Sequence, residues 1–408
     1  MNINPADNVW ILVSTALVLL MSIPGLAVFY GGLTRTRSVL NTIMMVFSAF
    51  GIVSLIWIIY GYSLSFGSDV GGIIGSLEYF LLLGINLTDP APPSDNLYHY
   101  LFIFFQMTFA AITVALMAGA FIERMKFSAW LLVAVLWGTF VYFPVAHWIW
   151  GGGWLSNLGT VDFAGGLVVH ETSGLGALVG ALLLGKRKEP IMLPANLALV
   201  AIGTGLLWFG WFGFNGGSAL GITQVAVSAA FVTTIAAFMG GLTWMFAEWV
   251  LFKKPTSLGM FTGIIAGLAT ITPASGFVDI VGGLIIGILG GLICFVAVVY
   301  VKSRFGYDDS LDVFGVHGVG GMLGAMLLAV FAKPEIGEVA GVIAGNFSQI
   351  LPQIIGIIGV GIYTVALTFV IFKVVDAVVG LRVSKDEEIE GLDENIHGER
   401  MMNEPIKF

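Results

Sequence analysis

Charged residues are scarce in this sequence. Only 10% of its 408 residues are charged and 58% are hydrophobic, whereas roughly a quarter of the residues in soluble domains are charged. A soluble chain cannot bury so much apolar surface in one core, because chains beyond ~250–300 residues split into domains instead. The composition therefore excludes a soluble globular fold and favours a protein that lies in a lipid bilayer.

A second cysteine, metal-binding motifs and a basic surface are also missing. Cys294 is the single cysteine, so neither an intrachain disulfide nor a cysteine metal cluster is possible. The stretch from His170 to Gly174 begins like the HExxH motif of zinc proteases, but glycine replaces the second histidine. The net charge of −8 offers no basic surface to nucleic acid. We therefore expect no enzyme activity, no cofactor and no nucleic-acid partner.

Long apolar runs dominate the chain instead. A hydrocarbon core ~30 Å thick needs about 20 apolar residues per helix. The sequence thus predicts an all-α membrane protein with eleven transmembrane helices, over residues 9–31, 40–66, 99–121, 127–147, 163–185, 191–214, 224–252, 257–275, 277–301, 312–332 and 349–380. The first run lacks the flanks of a signal peptide, so we expect a retained helix. Residues 70–85 are apolar but short and contain Glu78, which favours an interfacial or re-entrant segment.

The basic residues indicate how the helices are oriented, because cytoplasmic loops hold an excess of Lys and Arg. Sixteen of the 17 basic residues follow odd-numbered predicted helices or end the last one: Arg35, Arg37, Arg124, Lys126, Lys186, Arg187, Lys188, Lys253, Lys254, Lys302, Arg304, Lys373, Arg382, Lys385, Arg400 and Lys407. Lys333 alone falls on the other side. The pattern predicts an external N-terminus and a cytoplasmic C-terminus, with residues 186–188 in the cytoplasm.

Two pairs of segments indicate an internal repeat. Val169-His170 is followed by glycines and an alanine, much as Val316-His317 is, and residues 29–32 end the first predicted helix much as residues 214–217 end the sixth. Because five helices is an odd number, the two halves must be inverted in the membrane. Such an architecture places a substrate path near the midplane, at the interface of the repeats.

Ionisable residues deep inside a membrane are functional candidates, because burying them is costly. His170 lies near the middle of predicted helix 5, and His317 lies in predicted helix 10. Either alone is compatible with a buried histidine bonded to a backbone carbonyl, but their matching positions favour a facing pair. Such a pair suits a small polar molecule or a proton relay. Asp162 and Asp312 each precede a helix start, and we interpret them as caps or loop ties rather than ligands.

Aromatic residues crowd the predicted external ends of the helices. They include Trp148, Trp150 and Trp154 beside three glycines, and the stretch 208–214. Aromatic belts at membrane interfaces explain most of them. A minority could form a cage, in which a cation gains up to ~2 kcal/mol over a ring face. The spacing of Phe109 by itself indicates packing.

Six stretches carry a resemblance to a known family: FFQMTFAAIT (104–113), HWIWGGGWL (147–155), DFAGGLVVH (162–170), WFGFNGGSA (211–219), ITPASGF (271–277) and DVFGVHGVGG (312–321). From the first predicted helix to the tail, the chain resembles the ammonium transporter family (Amt/Mep/Rh), in its prokaryotic Amt form. The resemblance implies a homotrimer in the cell membrane with one narrow hydrophobic pore per protomer. Each protomer would have inverted repeats of helices 1–5 and 6–10, a long eleventh helix (residues 1–380) and a cytoplasmic tail (residues 381–408).

The resemblance also assigns residues at the external side. Phe109, Trp150 and Ser218 match the site that recruits ammonium. Phe109 and Phe214 match the stacked phenyl gate below that site.

Further inside, His170 and His317 match the twin histidines that line the family's pore. Asp162 matches an aspartate that is mainly structural and affects recruitment. Gln106 and Thr272 lie where the family has polar residues next to the pore.

The implied mechanism follows from the cost of moving an ion into a pore. A bare ammonium ion in a low dielectric costs far more than a cation–π contact returns. We therefore expect deprotonation outside, passage of neutral ammonia along the histidines and reprotonation inside. Two alternatives stay open: an ammonium sensor with little flux, and a gas or water channel, which would not need the external aromatic and serine cluster. Glu171 departs from the small or apolar residue expected there, and matters to a relay only if it faces the pore.

Residues 381–408 form an acidic tail. Eight acidic and four basic side chains are compatible with a solvated segment. However, Leu381, Val383, Ile389, Leu392 and Ile396 interrupt the charges with a spacing that solvation does not need. The stretches GLRV, EGLD and HGE resemble the family's tail, which packs under the protomers and couples them to a PII-type signalling protein; the last residues depart from it. We therefore expect a docked regulatory tail.

Overall fold

A bundle of long apolar helices makes up most of the protein. The computed structural model describes residues 3–189 and 193–401. Within these residues, ten helices are long and apolar enough to cross a membrane, and an eleventh apolar helix, α8, is shorter. In chain order they are α1 (Pro5–Leu33), α2 (Thr36–Phe66), α3 (His99–Phe121), α4 (Phe127–Leu158), α5 (Gly166–Leu184), α6 (Leu197–Gly216), α7 (Gln224–Phe252), α8 (Ser257–Ile271), α9 (Ile280–Phe305), α10 (Phe314–Phe331) and α11 (Phe347–Val379). The prediction of a helical, multi-pass membrane protein is confirmed.

Polar side chains at the loops determine where several helices begin. Asn196, Thr223, Thr256 and Asp279 each accept a hydrogen bond from a backbone N–H in the first turn of α6, α7, α8 and α9. Such caps satisfy donors that have no partner inside the helix. Between the caps the helices are apolar on most faces. A bilayer offers backbone groups no hydrogen bonds, so the spanning segments satisfy these groups internally as helices.

Wider π-helical turns interrupt several of the helices. In α1 the turn Met21–Gly25 contains Pro24, which lacks a backbone donor. α5 and α10 both begin with π turns, Gly166–Glu171 and Phe314–Gly318, and α6 ends with one, Phe212–Gly216. Single π turns are frequent at functional sites. Those of α5 and α10 carry the two histidines that the sequence singles out.

Glycines allow the closest approaches between helices. A side chain at Gly263 of α8, or at Gly291 of α9, would lie 2.6 Å from the carbonyl oxygen of Gly240 in α7. Likewise, a side chain at Gly174 of α5 would collide with the backbone of Gly318 in α10. These contacts are the small-residue packing typical of membrane helices. They also hold the beginnings of α5 and α10 against each other.

The connection between α2 and α3 contains the strands of the described chain. β1 (Asp69–Val70) pairs antiparallel with β2 (Ile74–Gly75), and β3 (Pro90–Ala91) pairs antiparallel with β4 (Ser94–Tyr98). A short 3₁₀ turn, Phe80–Leu82, lies between the two pairs. The apolar stretch 70–85 therefore forms no spanning helix, in agreement with the prediction.

The C-terminal tail packs on the end of the bundle where α3 meets α4. Lys126 N–H donates to the carbonyl of Leu381 (2.9 Å), and Val383 N–H donates to that of Arg124 (3.0 Å). The tail then forms two short helices, α12 (Lys385–Glu390) and α13 (Leu392–His397). Residues 381–401 are therefore not a solvated segment. The predicted tail also includes residues 402–408, with Lys407 among them, and all of these lie outside the described residues.

Candidate transport path

A cavity of about 240 Å³ opens at the other end of the bundle, where α3, α4 and α6 meet. Gln106, Phe109, Trp150, Phe163 and Ser218 are among its lining residues. The structure thus brings together Phe109, Trp150 and Ser218, as the sequence predicts for a recruitment site. Gln106 lies in the same wall.

Two local features aim Trp150 and Ser218 at this cavity. Trp150 is the last residue before α4 is interrupted at residues 151–153. Its indole N–H donates to the carbonyl of Asp162 (2.8 Å), and its ring meets Phe109 edge-on with centroids 6.1 Å apart. Ser218 Oγ donates to the carbonyl of Phe214 (2.8 Å). The hydroxyl oxygen therefore keeps its acceptor lone pairs for another donor.

A stacked pair of phenyl rings closes the inner side of the cavity. The ring centroids of Phe109 and Phe214 lie 4.2 Å apart, at an interplanar angle of 25°. Both side chains are buried. The rings lie between this cavity, which Phe109 lines, and a second, narrower space, which Phe214 lines.

His170 and His317 meet in that narrower space. Their Nδ1 atoms are 3.2 Å apart and their rings are nearly parallel, at 25°. One imidazole donates and the other accepts, as in the predicted pair. The space around them is about 10 Å³, close to the room of one water molecule, and its other lining residues are mostly apolar. Among the described residues, Nε2 of His170 has no hydrogen-bond partner.

Two aromatic residues to which the sequence assigns no role lie beside the histidine pair. The ring of Trp211 stacks on His170 with centroids 5.6 Å apart, and its N–H donates to Thr272 Oγ1 (2.9 Å). Thr272 therefore lies behind Trp211. Tyr30 borders the narrow space and donates to the carbonyl of Leu116 (2.9 Å). No local periodicity distinguishes these side chains from packing aromatics, so the sequence gives little signal for them.

A third cavity, of about 140 Å³, continues the path toward the end that carries the tail. It shares Phe29, Tyr30, Ile265 and His317 with the narrow space. Asp312 lies in its wall. The path thus runs from an open cavity, through the phenyl pair and the histidines, to a second open cavity.

Asp162 caps the start of α5. Its buried carboxylate accepts hydrogen bonds of 2.7–3.1 Å from four consecutive backbone N–H groups, those of Gly165, Gly166, Leu167 and Val168. This agrees with a structural interpretation of Asp162. Because its carbonyl also accepts from the indole N–H of Trp150, the same residue connects the start of α5 to the cavity of about 240 Å³.

Asp312 does not cap α10. It pairs with Lys302 (2.6 Å) and so ties the α9–α10 loop. The capping role belongs to Asp309, which is fully buried and accepts from the N–H of Phe314 (2.7 Å). The consecutive aspartates before α10 are the sequence signal that could have identified Asp309.

Glu171 faces a neighbouring helix rather than the path. A side chain at Gly361 of α11 would lie 3.1 Å from Oε1 of Glu171. Glu171 is buried, and neither carboxyl oxygen has a hydrogen-bond partner in the described part of the chain. It is not among the residues that line the three cavities. Glu171 would alter a histidine relay only if it faced the path, and it does not.

The long apolar helices surround a path with polar groups at its ends and two histidines between them. This combination defines a class, the multi-pass membrane transporters of small solutes. Residues 9–402 match the Ammonium Transporter Family. An ammonium transporter of Aquifex aeolicus (strain VF5) is 52% identical over 403 residues, which cover 98% of this chain and 94% of the relative.

Solved structures agree in fold. Saccharomyces cerevisiae Mep2 superposes with a TM-score of 0.88 at 37% identity, covering 95% of this chain and 89% of Mep2. A structure named "Sensor Amt Protein" gives a TM-score of 0.89 at 28% identity, covering 96% and 98%. The chain therefore belongs to the ammonium transporter family.

Proposed function

We propose that the cavity of about 240 Å³ faces the outside, and we call it the external cavity. This transporter binds ammonium there, releases the ammonium proton to water and passes neutral ammonia along His170 and His317. One observation carries the proposal. The phenyl pair Phe109 and Phe214 lies between the external cavity, which is able to hold a cation, and the narrow space around the histidines, or lumen, which no charged side chain lines.

The two ends of the path suit different forms of the solute. Outside the phenyl pair, the Trp150 ring and the Ser218 oxygen offer a cation an aromatic face and a hydrogen-bond acceptor. Inside it, desolvating a charge costs far more than such contacts return. Neutral ammonia can donate and accept, as each imidazole can, so the histidines compensate for its lost water without a fixed charge. Water on the outer side accepts the proton that ammonium loses, and on the inner side ammonia takes a proton from water.

We also propose eleven transmembrane helices in inverted repeats, an external N-terminus, a cytoplasmic C-terminus and a homotrimeric assembly. One observation supports the orientation, and another supports the eleventh span. Basic connections after α1, α3, α5 and α9 meet the tail in one network, whereas Lys333 pairs with Asp279 (2.6 Å) away from it. α8 spans about 22 Å at 1.5 Å per residue, and buried turns extend it.

Cysteine labelling in intact cells tests this orientation. The native Cys294 is buried, so single introduced cysteines report alone. Lys254 and Asp95 are both exposed. Asp95→Cys should react with a membrane-impermeant maleimide from outside, and Lys254→Cys should react only after the cells are opened. Labelling of Lys254→Cys in intact cells would show that the proposed orientation is wrong.

Currents from reconstituted protein on a solid-supported membrane test the function. We expect ammonium and methylammonium pulses to give currents or, for net ammonia passage, internal pH changes, and potassium pulses to give neither. Trp150→Ala should raise the half-saturating ammonium concentration about tenfold, which corresponds to a cation–π contact of ~1–2 kcal/mol.

Trp150→Phe is the matched control for this experiment. It keeps an aromatic face but loses the hydrogen bond to the Asp162 carbonyl. A half-saturation closer to the native value in Trp150→Phe than in Trp150→Ala would attribute the effect to the ring. Unaltered half-saturation in a well-folded Trp150→Ala protein would leave Trp150 as an ordinary interfacial aromatic.

An ammonium sensor is the second candidate, because the chain also shares its fold with a protein named "Sensor Amt Protein". A sensor would bind ammonium in the external cavity with little flux. Saturable binding without current or pH change in the experiment above would favour this function over transport.

A further inference from the structure

The ends of α7 and α9 on the side of the tail lie next to each other. Three glycines of α9 each face a residue of α7 that precedes it by the same number of positions: Gly283 faces Val232, Gly287 faces Ala236 and Gly291 faces Gly240. The two helices therefore run in parallel, and the same register places Arg304 of α9 level with Lys253, which follows α7. The ring centroid of Phe295 lies 6.2 Å from that of Phe252 and 6.3 Å from that of Tyr300. The two ends thus form one surface.

Exposed aromatic side chains surround this surface. Trp249 and Phe252 near the end of α7 are 51% and 53% exposed, and Tyr300 and Phe305 near the end of α9 are 47% and 78% exposed. The ring of Phe246, which is also exposed, stacks on that of Trp249 with centroids 6.2 Å apart. Aromatic side chains at the ends of membrane helices lie at the level of the lipid headgroups. The surface is therefore placed where the helices leave the hydrocarbon core.

Three basic residues belong to the same surface. Lys253 and Lys254 follow α7 directly, and Arg304 is in the last turn of α9. Lys253 Nζ donates to the carbonyl of Val250 (3.0 Å) and so caps the end of α7. The side chains of Lys254 and Arg304 are exposed and have neither a hydrogen bond nor an ion pair within residues 3–189 and 193–401. We call these three residues, together with Trp249, Phe252, Tyr300 and Phe305, the basic patch.

The acidic residue at this end of α7 does not neutralise the basic patch. Glu248 accepts from Thr256 Oγ1 (2.7 Å) and from the indole N–H of Trp244 (3.3 Å), and it has no ion pair in the described part of the chain. Basic side chains around the tail, by contrast, form ion pairs: Arg35 with Glu123, Arg187 with Asp308, Lys302 with Asp312 and Arg382 with Glu388. The basic patch therefore keeps a positive charge that neighbouring side chains leave uncompensated.

The phosphate of a lipid fits this combination of charge and aromatic surface. The Arg304 guanidinium can donate two parallel hydrogen bonds to phosphate oxygens, and Lys254 adds a second positive charge. The exposed rings can pack against the glycerol and the first methylene groups of the acyl chains. A zwitterionic headgroup carries its own cation, which the basic patch repels, whereas an anionic headgroup carries none. A free phosphate ion would use the charges but leave the rings uncovered.

We propose that the basic patch binds the headgroup of an anionic phospholipid in the leaflet on the side of the tail. Basic residues next to a membrane attract anionic lipids with a free energy that grows with each residue. Residues 253–256 lead directly into α8, whose Leu258 and Thr262 line the cavity of about 140 Å³. The lipid therefore anchors the loop next to the path. Its binding does not depend on how the path carries ammonium.

Native mass spectrometry of the purified protein in detergent tests the proposal, because it counts bound lipids one by one. Phosphatidylglycerol and phosphatidylcholine with identical acyl chains are the probes. The native protein should bind phosphatidylglycerol about tenfold more tightly than phosphatidylcholine. Lys254→Gln/Arg304→Gln should reduce this preference to about twofold or less, and each single substitution should leave an intermediate preference.

Lys188→Gln/Lys385→Gln is the matched control. It removes the same charge from two exposed side chains that follow α5 and begin α12, so the preference for phosphatidylglycerol should stay native. Equal affinity of the native protein for the two lipids, or a preference that survives Lys254→Gln/Arg304→Gln, would overturn the proposal. An equal loss of preference in the control would also overturn it, because the net charge would then be the cause.

Two further outcomes would assign the basic patch to another occupant and overturn lipid binding. Dissociation of the native oligomer in Lys254→Gln/Arg304→Gln would show that the patch is a contact between copies of this chain. Loss of the phosphatidylglycerol preference in excess inorganic phosphate, at constant ionic strength, would show that the patch takes a free anion. We expect the variant to keep the native oligomeric mass, and phosphate to have little effect because it lacks acyl chains.

Discussion

Replacing His170 or His317 with alanine is expected to change what the path carries far more than whether the protein folds. Both rings border the narrow space of about 10 Å³, so truncation removes packing on one side and widens the lumen. A wider lumen can hold water beside an ion, which lowers the cost of admitting a cation. We expect the preference for ammonium over potassium to fall at least about tenfold in each variant, equivalent to ~1.4 kcal/mol.

The two variants should differ in detail. His170 stacks on Trp211 and Phe214, whereas His317 also borders the cavity of about 140 Å³. Loss of His317 therefore joins the lumen to that open cavity and should admit potassium more readily. Loss of His170 leaves space under the phenyl pair and should mainly change the ammonium current.

Glutamine variants at the same positions are the matched controls. They retain a donor and an acceptor, fill more of the lumen than alanine does, and cannot relay a proton by changing tautomer. Currents with ammonium and potassium pulses measure selectivity, and thermal unfolding of the purified proteins measures stability. If both alanine variants fold and carry native ammonium currents with unchanged selectivity, the histidines have only a structural role.

The sequence predicts the helices well because one physical requirement determines them. A chain in a bilayer must satisfy its backbone within each helix, so every span is a local run of apolar residues. All eleven predicted runs therefore fall on α1 to α11, including the short α8. The pairing of His170 and His317 is also predictable, because similar residues follow both histidines in the sequence.

Contacts between distant segments are harder to predict. His147 and Asp69 are 78 positions apart, and their contact depends on a glycine break in α4 and a strand pair that hydropathy does not reveal. Trp211 supports His170 only because Thr272, from another helix, receives its N–H. In each case the residue type is ordinary and the partner gives it its role, so no local pattern identifies it.

A network of charges joins the tail to the loops at its end of the bundle. Glu123 pairs with Arg35 (2.5 Å), and Arg187 pairs with Asp308 (2.7 Å). Burial opposes ionisation of Asp308, but the hydrogen bonds and charge of Arg187 outweigh it and lower its pKa to about 2. These loops remain charged and paired at neutral pH. They form a fixed surface on which the tail packs.

The tail contacts this surface through the hydrogen bonds of two charged side chains, Arg382 and Asp393. Arg382 donates to the carbonyls of Leu184 (2.8 Å) and Lys186 (2.7 Å) at the end of α5. Asp393 accepts from the N–H groups of Leu40 (3.1 Å) and Asn41 (2.7 Å) at the start of α2. The tail thus links α2 to α5, two helices of the first predicted repeat.

Deleting residues 382–408 is therefore expected to lower transport while leaving the membrane fold and the proposed trimer intact. Water can replace the lost partners of exposed loops, so the helices should remain. The links that the tail adds between the start of α2 and the end of α5 would be lost, and the inner mouth of the path would be held by the loop ion pairs alone. Deleting only residues 402–408 is the control, because it keeps every tail contact described above. Native mass spectrometry would measure assembly, currents would measure transport, and co-purification would measure binding of a PII-type protein, which we expect the longer deletion to abolish. Full transport together with undiminished PII binding in that variant would show that the docked tail has no regulatory role.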